Sequence, residues 1–154
     1  MLNVTQVLGR VLKLPDFRKV DASAFRLAVY AQTFTPDVDG TPTPYARRDF
    51  PNGAIIIGID ASACVPGGGA SGQSSRNRQL FGLDFAYNGG EALVIDGPVN
   101  ADALLGGGDN GQFPAKELII APNAAITCRA ANLAGAAGLT VSVAYHTLIY
   151  RLAG

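Results

Sequence analysis

Leu139-Thr-Val-Ser-Val-Ala-Tyr-His-Thr-Leu-Ile-Tyr-Arg151 alternates with hardly a break. Leu139, Val141, Val143, Tyr145 and Ile149 fall on one face, and Thr140, Ser142, Ala144 and His146 on the other. At about 3.3 Å per residue, a strand of this length reaches across a whole small domain. It can pair with several shorter strands and seat a core between two sheets. The chain is read as closing on its own spine.

Upstream, further segments share the two-residue period or run continuously apolar. Phe25-Arg-Leu-Ala-Val-Tyr-Ala-Gln-Thr-Phe34 reads as the first clear strand, with Phe25, Leu27 and Val29 facing in. Ala54-Ile-Ile-Ile-Gly-Ile-Asp60 is apolar almost throughout, which suits a strand buried on both faces. Gln79 to Tyr87, the turn Asn88-Gly89-Gly90 and Glu91 to Asp96 predict a tight hairpin, because Asn-Gly readily supplies positive φ. Glu117 to Ala121, Pro122-Asn123 and Ala124 to Ala131 read as a second hairpin, and Val99 to Leu105 is ambiguous between strand and helix. With no helix–strand alternation, the fold class is all-β: an antiparallel β-sandwich of jelly-roll type. An immunoglobulin-like or other Greek-key order is the alternative, since strand order is not written in periodicity.

The N-terminus has a different period. Val4, Val7, Leu8, Val11 and Leu12 recur at steps of three and four, with Asn3 placed to cap and Gln6 three residues on. This predicts a short amphipathic helix ending before Pro15, within an N-terminal helix or arm of residues 1–24 ahead of a sandwich domain of residues 25–154. Such a helix either plugs one end of the sandwich or docks on a partner subunit.

With 154 residues the chain can bury a core without metal or disulfide support. Twelve basic residues balance twelve acidic ones, and only 16% of residues are charged, so the surface must present small polar and apolar atoms instead. The basic residues form no concentrated face, which argues against nucleic acid. A signal peptide and a membrane-length apolar run are both missing from the pattern, so a soluble protein made in a cytoplasm is expected. Cys64 and Cys128 are too few for a disulfide framework; a buried thiol is expected at Cys128, and a bridge between the two stays open.

Chemistry is sparse. His146 is the single histidine and has no placed nucleophile or metal-ligand companions. Asp84, Glu91, Asp96, Asp102, Asp109 and Glu117 sit mostly at strand ends or turns, where solvated carboxylates are ordinary. Asp37-Val-Asp39-Gly40 begins like a calcium loop but lacks the remaining oxygen ligands. The glycine-rich run from Pro66 to Gly72 has no following Lys-Ser or Lys-Thr for a phosphate loop. No catalytic residue, metal site or cofactor is assigned, and an enzyme is not expected. A loop as long as Ser62 to Arg78 is expected to contact something, with Arg76 and Arg78 as anchors at its exit.

The Asn88-Gly89 turn, Phe113-Pro-Ala-Lys-Glu-Leu-Ile-Ile-Ala-Pro122 and the closing Val143 to Arg151 resemble the small jelly-roll decoration, or cement, proteins of tailed-bacteriophage capsids. The likeness covers residues 50–151 and lies in texture: low charge, loops rich in Gly and Ala, and a C-terminal strand ending near the last residue. The resemblance implies a homo-oligomer, dimer or trimer, on the outside of a phage head. There it would bridge neighbouring major capsid proteins and so reside in the virion. The natural contacts would be the N-terminal segment, with Val4, Val7, Leu8, Val11 and Leu12, and the loop carrying Arg76 and Arg78. A receptor- or carbohydrate-binding sandwich is the rival expectation.

Overall fold

A computed structural model describes residues 1–17, 20–66, 77–94, 97–105 and 113–149. Helix α1 spans Val4–Val11, and the strands are β1 Arg26–Phe34, β2 Ala46–Phe50, β3 Ala54–Cys64, β4 Phe81–Tyr87, β5 Glu91–Ala92 and β6 Val99–Asn100. A short helix α2, Ala101–Leu105, precedes β7 Leu118–Ile120, β8 Ala124–Asn132 and β9 Thr140–Ile149. One sheet has the order β1-β9-β3-β7; the other has β2-β8-β4-β5, with β6 also paired to β4. The chain crosses between the sheets after β1, β2, β3, β6, β7 and β8, and every pairing is antiparallel. This is the jelly-roll order expected of the sandwich.

The closing strand is central, as its alternation requires. β9 pairs with β1 on one side and β3 on the other, and Leu139, Val141, Val143 and Tyr145 are buried between the sheets. Phe81, Leu83, Phe85, Ile126, Cys128 and Ala130 meet them from the opposite sheet. Phe85 stands edge-on to Tyr145 at 6.4 Å between ring centroids, and Tyr30 of β1 edge-on to Phe50 of β2 at 5.4 Å. Such aromatic contacts add to the area they bury.

β3 is buried on both faces, and the reason is α1. Ile55 and Ile57, two residues apart, both turn outward, and a register shift opposite β9 between Ile56 and Gly58 lets Ile56 and Ile59 both face the core between the sheets. There they pack with Leu148, Val7, Val11 and Phe17 as a second core on the sheet's outer face. Full burial of Val7 and Val11 stabilises by about 1.5–3 kcal/mol each. Asn3 caps the helix, its side chain accepting from the Gln6 N–H at 3.2 Å. Leu2 N–H donates to the Ile57 carbonyl at 2.9 Å, and Met1 lies 3.4 Å from where a Cβ on Gly58 would stand. The helix thus lies across a sheet face; it does not plug the end of the sandwich.

Three expectations need correction. In β1, Leu27 and Val29 point outward, 64% and 62% exposed, while Ala28, Tyr30, Gln32 and Phe34 turn in. Both parities of this strand are apolar, so alternation could not choose, and pairing with β9 did: Tyr30 stands opposite Tyr145 and Phe34 opposite Val141. The segments around Pro122-Asn123 are no hairpin, because β7 pairs with β3 while β8 pairs with β2 and β4. Asn123, at φ 64°, turns the chain from one sheet to the other. The hairpin at Asn88-Gly89-Gly90 is present, but its second strand is only Glu91–Ala92.

Candidate functional site

The ends of the strands gather the exposed loops at one pole. β1 ends there, β2 begins there, β3 ends there, and β8 ends opposite the start of β4. The loop of residues 35–45, the loop of residues 133–139 and the turn at Pro66 therefore lie side by side. The Thr43 N–H donates to the Ala130 carbonyl at 2.8 Å, Gly135 approaches the Val38 carbonyl, and Gly138 lies against the Pro66 ring. A Cβ at Gly138 would stand 2.9 Å from that ring, and its φ of 71° also favours glycine. Val38 and Leu133 are 54% and 48% exposed on these loops.

The loop of residues 62–78 leaves and re-enters at this pole. At its exit Asn77, with φ 56°, donates from Nδ2 to the Ala63 carbonyl at 2.8 Å. Arg78 donates from Nε to the Ala61 carbonyl at 3.2 Å and pairs through Nη2 with Asp60. The exit of the loop is thus clamped onto β3. Arg78, expected as an outward anchor, is buried in this clamp, and Arg76 lies outside the described residues. The helix residues divide similarly: Val7 and Val11 are wholly buried against the chain's own sheet, while Val4, Leu8 and Leu12 are half-buried.

A second exposed surface is the bare half of the β1-β9-β3 face. Val29, Ala31 and Thr33 of β1 lie beside His146, Ala144 and Ser142 of β9, their cross-strand partners. A shallow hollow of about 120 Å³ runs along Ala31, Ala144, Ser142, Ser62 and Asp60. This face is flat and built of small side chains. His146 sits at its margin, in a hollow of about 160 Å³ shared with Met1, Asp60, Arg78 and Leu105.

A larger cleft of about 440 Å³ lies at the other pole, between α1 and the Asn88 turn, lined by Arg10, Tyr87, Asn88, Glu91, Lys116 and Glu117 among others. Asn88 holds β7 there, donating from Nδ2 to the Ile119 carbonyl at 2.9 Å and accepting from the Ala121 N–H at 3.3 Å. The buried Glu117 carboxylate is held below its ordinary range first by hydrogen bonds from Arg10. Glu91 and the burial of Tyr87 push the Tyr87 phenol up, burial being the larger cause.

Asp84 and Asp39 are engaged structurally. Asp84 accepts from the Tyr45 hydroxyl at 2.6 Å and from Arg129 Nε at 2.9 Å, and the Arg129 guanidinium stacks over the Tyr45 ring. This clasp raises the Tyr45 phenol above its usual range, chiefly through the hydrogen bond to Asp84. Asp39 accepts from the Thr41 N–H at 2.9 Å, a local turn within its own loop. Asp96 and Asp109 lie outside the described residues. Both cysteines are unbridged, Cys128 buried and Cys64 exposed. Among the described residues no three of His, Cys, Asp or Glu converge as metal ligands, and no helix is long and apolar enough to cross a membrane.

The exposed β1 face was missed because Leu27 and Val29 look like core residues in sequence. The pole of loops was partly legible, since its prolines and glycines mark surface excursions. No protein-family model, curated protein or solved structure matches this chain.

Proposed function

We propose that the protein is a structural component of a tailed-phage virion, a cement protein that binds the outer capsid surface and joins neighbouring major capsid proteins. The observation that carries this reading is the pole of loops, where Val38 and Leu133 are exposed on the loops that also bring Gly138 against Pro66 at the start of the glycine-rich segment. Apolar side chains on loops clamped to a rigid sandwich suit a contact with another protein. Asn77 and Arg78 tie the exit of the long loop to Ala63 and Ala61 of β3, which gives that end of the surface a fixed position. A shell repeats each site many times, so weak contacts add up.

The test is the stability of the head. Heads of the encoding phage, assembled without this protein, should release their DNA at a lower temperature, and adding the purified protein should restore resistance. Val38→Asp together with Leu133→Asp should abolish the restoration while the variant stays folded. Heads equally stable with and without the protein would contradict the reading.

A carbohydrate- or receptor-binding module is the second reading, favoured by the cleft beside Tyr87, Asn88 and Lys116. It predicts retention on a glycan array that Tyr87→Ala abolishes, with no effect of the protein on heads.

A further inference from the structure

We propose that β1 is a pairing edge for a second copy of this chain, the two β1 strands running antiparallel about a two-fold axis and joining their sheets into one. Among the described residues β1 pairs with β9 alone, so its other side is a sheet edge. Soluble proteins guard such edges with charge, proline, bulges or brevity. The other edges of this sandwich follow that rule. β2 has five residues and carries Arg47, Arg48 and Asp49; β7 has three residues next to Lys116-Glu117; β5 has two, one of them Glu91.

β1 carries none of these guards over most of its length. Its nine residues pair with β9 in unbroken register, and Leu27 to Phe34 contains no charge, proline or glycine. Among the described residues Leu27 and Val29 are also the most exposed of the large apolar side chains, and both stand on this strand. A plain apolar edge beside three guarded ones points to an edge that is covered in solution.

Charge selects the occupant. Arg26 opens β1, and Asp37 and Asp39 follow its C-terminal end. An antiparallel copy centred near Tyr30 and Ala31 brings each Arg26 to the acidic end of its partner and keeps the uncharged residues opposite one another. A parallel copy would set like charges together. The two-fold arrangement is also self-closing, so it ends at a dimer.

The hydrogen-bonding groups are positioned for this. The Ala31 carbonyl accepts from Arg48 Nη2 of β2 at 3.4 Å, so it points away from β9. By the antiparallel alternation, Leu27, Val29 and Thr33 turn their N–H and C=O groups the same way. The Arg48 contact is long for a hydrogen bond, and a strand N–H from the second copy would replace it.

The dimer requires no capsid, so its failure and the failure of the cement reading are separable. The experiment is sedimentation velocity on the full chain over a range of micromolar concentrations. The expected result is a reversible dimer whose dissociation constant rises at least about tenfold with Val29→Lys, which sets like charges near the axis. Ala31→Pro, which removes an edge donor and spares the β9 ladder, should do the same. Leu133→Lys, at the pole of loops, should leave the dimer unchanged. A monomer at every concentration would overturn the proposal, as would an oligomer indifferent to Val29→Lys. A monomer whose Val29→Lys variant loses binding to heads would also overturn it, assigning the edge to the capsid protein.

Discussion

Arg10 on α1 grips the carboxylate of Glu117 at the entry to β7 with two hydrogen bonds, Nε to Oε1 at 3.1 Å and Nη2 to Oε2 at 2.6 Å. The carboxylate side is 4% exposed and the guanidinium 48%, so a cation from solvent's edge neutralises a buried acid. Two-point geometry of this kind fixes orientation as well as distance. It holds the helix in one pose over Ile55 and Ile57.

The Glu117 carboxyl loses its proton more readily in the folded chain than in the unfolded one, first because of the Arg10 hydrogen bonds. A lowered folded value contributes stability above the unfolded carboxylate range, and the contribution is lost as pH falls through the folded value. Glu117→Gln should therefore lower the urea midpoint at pH 7, with the gap to wild type closing on acidification. A gap constant from neutral to acid pH would contradict the pairing.

The α1 docking should be worth measurable stability. Val7→Ala and Val11→Ala each remove two methyl groups from fully buried positions and should cost about 2 kcal/mol. Lys13 is exposed, and Lys13→Ala should change little. Chemical denaturation reads all three; unchanged stability in the two valine variants would mean that the helix does not hold its place.

The thiols should separate cleanly. Burial pushes the Cys128 thiol up to about 12, so it stays protonated and unreactive at pH 8. Cys64 is exposed at the end of β3. Alkylation of the native protein should modify one thiol, Cys64, and the second only after unfolding. Rapid modification of both in the native state would contradict the packing of Cys128 against β9.

Tyr145 is wholly buried, and its hydroxyl donates to Gln32 Oε1 at 2.8 Å. Burial raises the phenol well above its ordinary range, so it remains a neutral donor. Tyr145→Phe should cost about 1 kcal/mol, the worth of one hydrogen bond. Tyr145→Ala should cost about 3–5 kcal/mol through the cavity it opens between the sheets. Thermal unfolding distinguishes the two, and equal losses would place the cost in the hydroxyl.

The frame of this fold was legible where a strand had two unlike faces. Leu139 to Tyr145 could take only one orientation, and Ala54 to Asp60 could only be covered on both sides. The cover itself, α1, was legible from its period and its Asn3 cap, but its destination was not, because a row of isoleucines does not mark which of its faces a helix covers. Leu27 and Val29 misled for the opposite reason: a strand apolar on both faces carries no mark of which one meets solvent. Buried charges were equally hidden, since Arg78 meets Asp60, and Arg129 meets Asp84, only after distant strands have come together. Composition did signal a surface short of charge, though not where its apolar part lies.

Cosedimentation with assembled heads of the encoding phage tests the cement reading most directly. The account predicts saturable binding at a stoichiometry fixed by the shell's symmetry, lost in the Val38→Asp, Leu133→Asp variant and weak toward unassembled capsid protein. A protein that stays in the supernatant at every concentration, with heads intact, would contradict it.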